Sequence, residues 1–405
     1  MKAPVLTSGG GIYQLRWLDQ HISIRLDRLA EDSKYNVTAE ILITTTDPSS
    51  PPHLHQARFN LTSTTARRTI AQHLSERMNH LDWHAIIEQA SVLTLEQYRA
   101  GTPVINLAEH QIKESLAFRL APMLQERQAS LLFGPGDSGK SFLAMYFGTM
   151  IAAAFPHGNF MPEPGNVLYL DYETDADTAA QRLRMISAGL NCDVPKGFHY
   201  RYCHQTLAAE IETIQRHVLQ RDISLLIIDS AAPAVGEPES STMTNQYFSA
   251  LRSLEITSLT IAHVAKTGKV DEPFGSIFFR NLPRANFRVT ASHEPGDPSF
   301  AVSLKHTKSN NGIRIKDLGL RFAFEPDKVT LTQIDHASVR TLAESLGVWQ
   351  LIQAVLKTHG KLTIAEMAEL TRKPLDQISA RVGDHKAYLV KVGQEYGLKD
   401  QGLEY

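Results

Sequence analysis

SLLFGPGDSGKSFLAMYFG, residues 130–148, holds an apolar strand, a glycine-rich turn and an apolar helix in one unbroken run. Gly134, Gly139, Lys140 and Ser141 satisfy the phosphate-loop spacing G-x-x-x-x-G-K-[ST]. The loop Gly134, Pro135, Gly136, Asp137, Ser138, Gly139, Lys140 and Ser141 can aim its backbone N–H groups, together with a helix N-terminus, at a polyphosphate. There Lys140 would bridge the outer phosphates and Ser141 would ligate Mg²⁺. An ordinary glycine turn is the competing reading, and the apolar strand before and helix after argue against it.

Working outward, three further apolar runs end in polar residues. SLLIIDSAA (224–232) is a buried-strand pattern delivering Asp229, a second Mg²⁺ ligand beside the phosphates. NVLYLDYETD (166–175) ends in Asp171, Tyr172 and Glu173. Glu173 is the expected base for an attacking water, with Asp171 the second choice; the alternative is that Glu173, Thr174 and Asp175 only cap the helix that follows. SLTIAHVAKTGK (258–269) ends in His263, placed to hydrogen-bond a terminal phosphate, with Lys266 and Lys269 beyond. Strands alternating with helices predict a parallel sheet whose carboxyl edge holds the ligand. The expected strands are Ala129–Phe133, Asn166–Leu170, Leu225–Ile228, Ser258–Ala262, Asn286–Thr290 and Phe300–Lys305.

The flanks read differently. Residues 21–46 alternate apolar and polar as antiparallel strands do, followed by a Pro-Ser turn, a strand near Ala57–Leu61 and a helix capped by Ser63 or Thr64. His53-x-His55 has metal-ligand spacing, but a solvated turn beside two prolines is the favoured reading. A linker at Gly101–Thr102–Pro103 leads into an expected helix over Glu109–Glu126. After Asp335 three helical stretches are expected. Within them Ile364–Leu370, a turn at Thr371–Pro374 and a helix from Leu375 form a helix-turn-helix pattern, with Arg372, Lys373, Arg381 and Lys386 as phosphate contacts, weighed against protein docking. The expected boundaries are 1–102, 103–338 and 339–405.

With 405 residues, 42% hydrophobic and 21% charged, the chain is an ordinary globular one of two or three domains. A net charge of -2 excludes global attraction to polyanions, so any nucleic-acid contact must be local. Two cysteines make no disulfide framework, and MKAPVLTSGGGIYQLRW carries no secretory pattern. A soluble, cytoplasmic protein without membrane contact is expected.

GPGDSGKS, LYLDYE, LLIIDS and HVAKTGKVDEPFGSIFFRN together resemble the RecA-like ATPases, and more narrowly the RepA-like hexameric helicases and their AAA-labelled relatives, over about residues 105 to 335. The last stretch is similar to that family's H-x-x-K element with its Gly-Ser pair, here His263, Lys266, Gly275 and Ser276. Ala262 stands where the family often has another histidine. The resemblance implies a basic finger reaching a neighbour's nucleotide. Asn310 occupies the place of the family's arginine, which leaves Lys305, Lys308 and Arg314 as candidates and Arg280 and Arg284 as outsiders. It also implies two mobile channel loops, PAVGEPESSTMTNQ (233–246) and KTGKVDEPFGS (266–276), with Lys266 and Lys269 of the second as candidate contacts to nucleic-acid phosphates.

The fold expected is therefore α/β, a RecA-like parallel-sheet P-loop ATPase core with a small N-terminal α+β domain and a C-terminal helix-turn-helix-like module. The function implied is a Mg²⁺- and ATP-dependent motor, ring-forming and hexameric, acting as a helicase on single-stranded DNA with replication or mobile-element partners. Two alternatives stay open: a filament-forming recombination or repair ATPase, and a non-processive ATP switch that assembles partners.

Overall fold

The structure, a computed structural model, describes residues 2–9, 11–101, 104–110, 117–264, 272–293, 296–335 and 348–399. Two compact units divide it: residues up to 116 with 208–221 and 253–255, and the remainder.

In the first unit, β1 (Val5–Gly9), β2 (Ile12–Trp17), β3 (Ile22–Glu31), β4 (Val37–Thr45) and β5 (His53–Asn60) form an antiparallel meander in sequence order. Period-two patterning sets its faces: β4 buries Val37, Ala39, Ile41 and Ile43 and leaves the residues between them half-exposed. Two helices cover the buried face. Ser63 Oγ accepts the Ala66 amide at 3.2 Å to start α1 (Thr64–Arg77), and Asp82 does the same for Ala85 at 3.1 Å to start α2 (Trp83–Ala100). Leu15, Ile24, Ile41, Leu74, Trp83 and Ile86 share one core. His53 and His55 lie on β5 rather than in a turn, because His53 pairs with Thr44 and His55 with Ile43. The His55 ring meets His73 edge-on at 5.6 Å.

The second unit begins with β6 (Phe118–Ala121) and β7 (Leu124–Gln125), where a helix was expected. Pro122 lacks the amide a helix interior needs, and Leu120, Met123 and Leu124 are buried in the core instead. Then come β8 (Ala129–Gly134), α3 (Lys140–Ala153), β9 (Met161–Pro162), β10 (Asn166–Asp171), α4 (Ala176–Leu190), β11 (Phe198–Tyr202) and β12 (Ile223–Asp229), while α5 (Leu207–Gln220), which precedes β12 in sequence, belongs from residue 208 to the first unit. They are followed by α6 (Ala231–Val235), α7 (Ser241–Ser253), β13 (Thr257–His263), α8 (Phe278–Asn281), β14 (Ala285–Ser292), β15 (Ser299–Ser309), β16 (Leu318–Phe324) and β17 (Val329–Ile334). Nine strands make one sheet in the order β11-β10-β12-β13-β8-β14-β15-β16-β17. Pairing is parallel from β11 to β14 and antiparallel from there on. The expected Phe300–Lys305 strand is thus present but antiparallel, and β16 and β17 extend the sheet beyond it.

This order positions the site. β13 lies between β12 and β8, so the ends of the three strands bring Asp229, His263 and the phosphate loop to one carboxyl edge, with β10 next to β12. The stretch 233–246 is largely helix rather than mobile loop: Ser240 Oγ accepts the Met243 amide at 3.3 Å and starts α7, leaving only residues 236–240 between α6 and α7. The architecture is mixed α/β, with a large, mostly parallel central sheet and a small N-terminal antiparallel one.

At the C-terminal end, α9 (Val348–His359), β18 (Leu362–Thr363), α10 (Ile364–Thr371), α11 (Leu375–Asp384), β19 (Leu389–Val392) and β20 (Glu395–Leu398) surround a small core of Ile352, Leu356, Met367, Ile378, Val382 and Leu389. A reciprocal cap starts α10: Thr363 N donates to Glu366 at 2.8 Å, and Glu366 N to Thr363 Oγ1 at 3.3 Å. Alongside the three helices stands a sheet in the order β18-β20-β19, which adds a hairpin wing to the helix-turn-helix.

Candidate functional site

Gly134 ends β8 where a Cβ would lie 2.2 Å from the Val289 carbonyl oxygen, so only glycine lets the loop leave the sheet there. Lys140 follows at the start of α3 and is 5% exposed. Its ammonium donates to the Pro135 carbonyl and to Ser138 Oγ, the latter at 3.2 Å, and so folds back over the loop. Burial lowers the Lys140 pKa, and the more distant carboxylates of Asp229, Glu173 and Asp137 only partly oppose it.

Asp229 is also 5% exposed. The Tyr169 hydroxyl donates to its Oδ2, and the Ser141 hydroxyl also bonds to it. Burial pushes this carboxyl up from its usual range despite those two bonds, and Glu173 and Asp171 add to the rise. Ser141 and Asp229, the two residues expected at the metal, are therefore in contact, and a hydroxyl plus a carboxylate is a hard-oxygen donor set that fits Mg²⁺. Among the described residues no group of three or more His, Cys, Asp or Glu side chains has metal-binding geometry. Such a Mg²⁺ would take its remaining ligands from water and phosphate.

Glu173 and Asp171 separate clearly. Asp171 is 2% exposed and builds the turn: it accepts the Glu173 and Thr174 amides at 2.9 and 3.0 Å and the Tyr200 hydroxyl at 3.2 Å. Asp175 caps α4, accepting the Thr178 amide at 2.9 Å. Glu173 does neither. It lines a cavity of about 370 Å³ with Lys140, Ser141, Asp229 and His263, and the Ser230 hydroxyl donates to its Oε1.

The cavity also takes in residues that sequence reasoning passed over: Arg182, Phe142, His293, Phe300 and Phe324. The Arg182 guanidinium sits 5.2 Å from the centre of the Phe142 ring, and among the described residues no ion pair engages it. The aromatic side chains come from α3, β15, β16 and the end of β14. Only strand register, Phe300 opposite Phe322, brings them together, and no local motif marks them.

Other expected residues lie elsewhere. Lys308 donates to the carbonyls of Asn281 and Pro283 at 2.5 and 2.6 Å, so its charge is engaged within its own chain, and burial lowers its pKa. Lys305 is exposed on β15, Arg314 is exposed between β15 and β16, and Arg280 pairs with Glu272 at 2.9 Å. None of these, nor Arg284, lines the cavity. Lys266 and Lys269 lie outside the described residues. In the C-terminal module Arg372 and Lys386 are exposed, Lys373 is half-buried, and Arg381 pairs with Asp384 at 3.1 Å.

The segment after His263 is tied to the segment after α6. Ser276 N donates to the Pro238 carbonyl at 2.7 Å, and Phe274 N to the His263 carbonyl at 2.8 Å. Gly275, at φ 110°, makes that approach: a Cβ there would lie 2.6 Å from the Pro238 oxygen.

Residues 96–270 match the family model described as an AAA domain. That span is under half of the chain and contains the phosphate loop, Glu173, Asp229 and His263. No curated protein matches the chain. Among solved structures, a KaiC-like protein from the hyperthermophilic archaeon Pyrococcus horikoshii OT3 is 15% identical, with 53% of this chain and 93% of that one covered and a TM-score of 0.40. The flagellar accessory protein FlaH from Methanocaldococcus jannaschii is 13% identical, covering 52% and 90%, with a TM-score of 0.38. The class of the core rests on its own strand order and phosphate loop: an α/β P-loop nucleotide-binding core. Among the described residues no helix is long and apolar enough to cross a membrane.

Proposed function

We propose that this chain is a Mg²⁺-dependent ATPase that works as a ring-forming motor on single-stranded DNA, in the manner of RepA-like helicases serving a mobile element. One observation carries the ATPase reading: Lys140, Ser141, Glu173, Asp229 and His263, from four separate strand ends, line one cavity. Lys140 would exchange its bonds to Pro135 and Ser138 for the outer phosphates, whose charge offsets the burial that lowers its pKa. Ser141 and Asp229 would hold Mg²⁺, which would supply positive charge to offset that of the phosphates. Glu173, oriented by the Ser230 hydroxyl, positions the attacking water and takes its proton. His263 donates to the terminal phosphate at the end of β13. From there the backbone bonds through Phe274 and Ser276 lead to Pro238, a route by which loss of the phosphate moves both post-strand segments.

For a neighbour's site Arg314 is the preferred finger, being exposed where Lys308 is engaged, with Lys305 next. The test mixes Lys140→Ala and Arg314→Ala proteins under subunit exchange with single-stranded DNA and follows phosphate release. A composite site recovers turnover in the mixture. Mixed oligomers confirmed by mass but without recovery remove the trans finger, and failure of the wild type to displace a DNA strand removes the helicase.

One observation favours the partner-assembling switch as a second reading. On the second helix of the helix-turn-helix Arg381 pairs with Asp384 and Leu375 is exposed, and on β19 Val390 and Val392 are exposed too, a module better suited to protein than to phosphates. ATP turnover unaffected by DNA would select it.

A further inference from the structure

On the wall of the cavity near the phosphate loop, His293 and Phe300 lie 4.1 Å apart at 31°, and Phe300 stacks on Phe324 at 5.7 Å and 17°. Phe142 meets Phe324 edge-on at 5.2 Å. Phe300 ring atoms lie 3.0 Å from where a Cβ on Gly139 would be, which sets the stack directly against the loop that takes the phosphates. His293 is exposed, while Phe142, Phe300 and Phe324 are half-buried, unlike Phe322 behind them, which is fully buried. Large aromatic rings left half-open beside a polar phosphate site are unusual for a packed core and suit a flat ligand.

We infer that the His293–Phe300–Phe324 wall is a nucleobase platform that reads the base by stacking alone, so that the site accepts purine nucleoside triphosphates without regard to their exocyclic groups. The inference rests on the nucleotide reading of the phosphate loop and adds its base specificity. Hydrogen-bond readout needs fixed donors and acceptors, and among the described residues the wall has few. His293 spends its Nε2–H on the Asp137 carbonyl at 2.7 Å, and the side chains of Phe300 and Phe324 carry no polar atom. Stacking tolerates any base because every base has a π-face, whereas sites built to hydrogen-bond a substrate group reject the analogue lacking it by several orders of magnitude.

Calorimetric titration of the full chain with ATP, GTP and tripolyphosphate, each with Mg²⁺, tests this. Wild type is expected to bind ATP and GTP within about threefold of one another, and both more tightly than tripolyphosphate. Phe300→Leu, which keeps an apolar side chain, should weaken ATP and GTP by roughly tenfold or more and leave tripolyphosphate unchanged. Phe300→Trp should retain both nucleotides, and His293→Ala, at an exposed position, should give a smaller loss of the same kind. A preference of ATP over GTP above about a hundredfold, or an equal loss of tripolyphosphate binding in Phe300→Leu, overturns the platform. Wild type binding tripolyphosphate as tightly as ATP also overturns it while sparing the phosphate loop. Wild type binding none of the three overturns the nucleotide reading itself.

Discussion

Buried charge is handled in opposite ways in the two units. In the N-terminal unit Asp27, 4% exposed, is closed in by guanidinium groups: Arg216 at 2.7 Å and Arg25 at 3.3 Å, with Glu40 and Glu212 taking Arg28 at 2.7 and 3.0 Å. In the P-loop cavity Lys140 and Asp229 are equally buried, yet their bonds go to a carbonyl and to hydroxyls, and burial pushes both toward neutrality. A buried charge that has its counter-ion is architecture. One whose hydrogen bonds go only to neutral groups is open to a counter-ion, and on the reading proposed above this pair would take a polyphosphate and a divalent cation.

Glu173→Gln is expected to bind ATP and turn it over about 10²–10⁴ times more slowly, with the melting temperature unchanged, because Asp171 and Asp175 hold the turn and the cap without it. Retained turnover in a single-turnover assay would return Glu173 to a structural role. Arg216→Ala should do the reverse. It strips Asp27 of its two-pronged partner, so denaturant unfolding should show a loss of about 3 kcal/mol, while the phosphate site keeps all its residues. A loss below about 0.5 kcal/mol would mean the network is no more than a surface pair. Gly275→Ala forces a Cβ against Pro238 at φ 110°, costing about 1–3 kcal/mol, and should speed exchange of the Ser276 amide.

The smallest expected effect is on acid stability. Burial lowers the pKa of His55 in the first unit and of His306 in the second below the usual 6.5. Below pH 6.5 the unfolded chain binds these protons before the folded one does. Stability is therefore full above that pH and falls as pH drops from 6.5 through the folded values. His306→Gln, and separately His55→Gln, should flatten part of that slope in melting scans between pH 7 and 5. An unaltered slope in both would contradict the assignment.

What the sequence made legible follows from how local each signal is. The phosphate loop, Asp229 and Glu173 sit at ends of short apolar runs, so strand, turn and residue type are all read within ten positions. The Ser63 cap and the 364–384 helix pair are local in the same sense. Residues 118–125 misled because their apolar spacing suits a helix and only Pro122 objects. The aromatic wall was invisible because Phe300 and Phe324 meet through antiparallel register, and His293 joins them from the far end of β14. That Lys308 bonds the carbonyls of Asn281 and Pro283 depends on a turn more than twenty residues away. Residues 208–221 belong to the N-terminal unit, and there Arg216 meets Asp27, 189 positions earlier.

Phosphate release by wild type and Lys140→Ala, measured beside their melting curves, tests whether the buried ammonium serves a bound polyphosphate. The buried ammonium, hydrogen-bonded only to neutral groups and with its burial only partly offset, predicts turnover in the wild type, loss of it by at least about a hundredfold in the variant, and an apo melting temperature equal or higher once that charge is gone. Turnover in the variant close to wild type, or a melting temperature lowered by several degrees, would show that Lys140 serves the fold and not a bound polyphosphate.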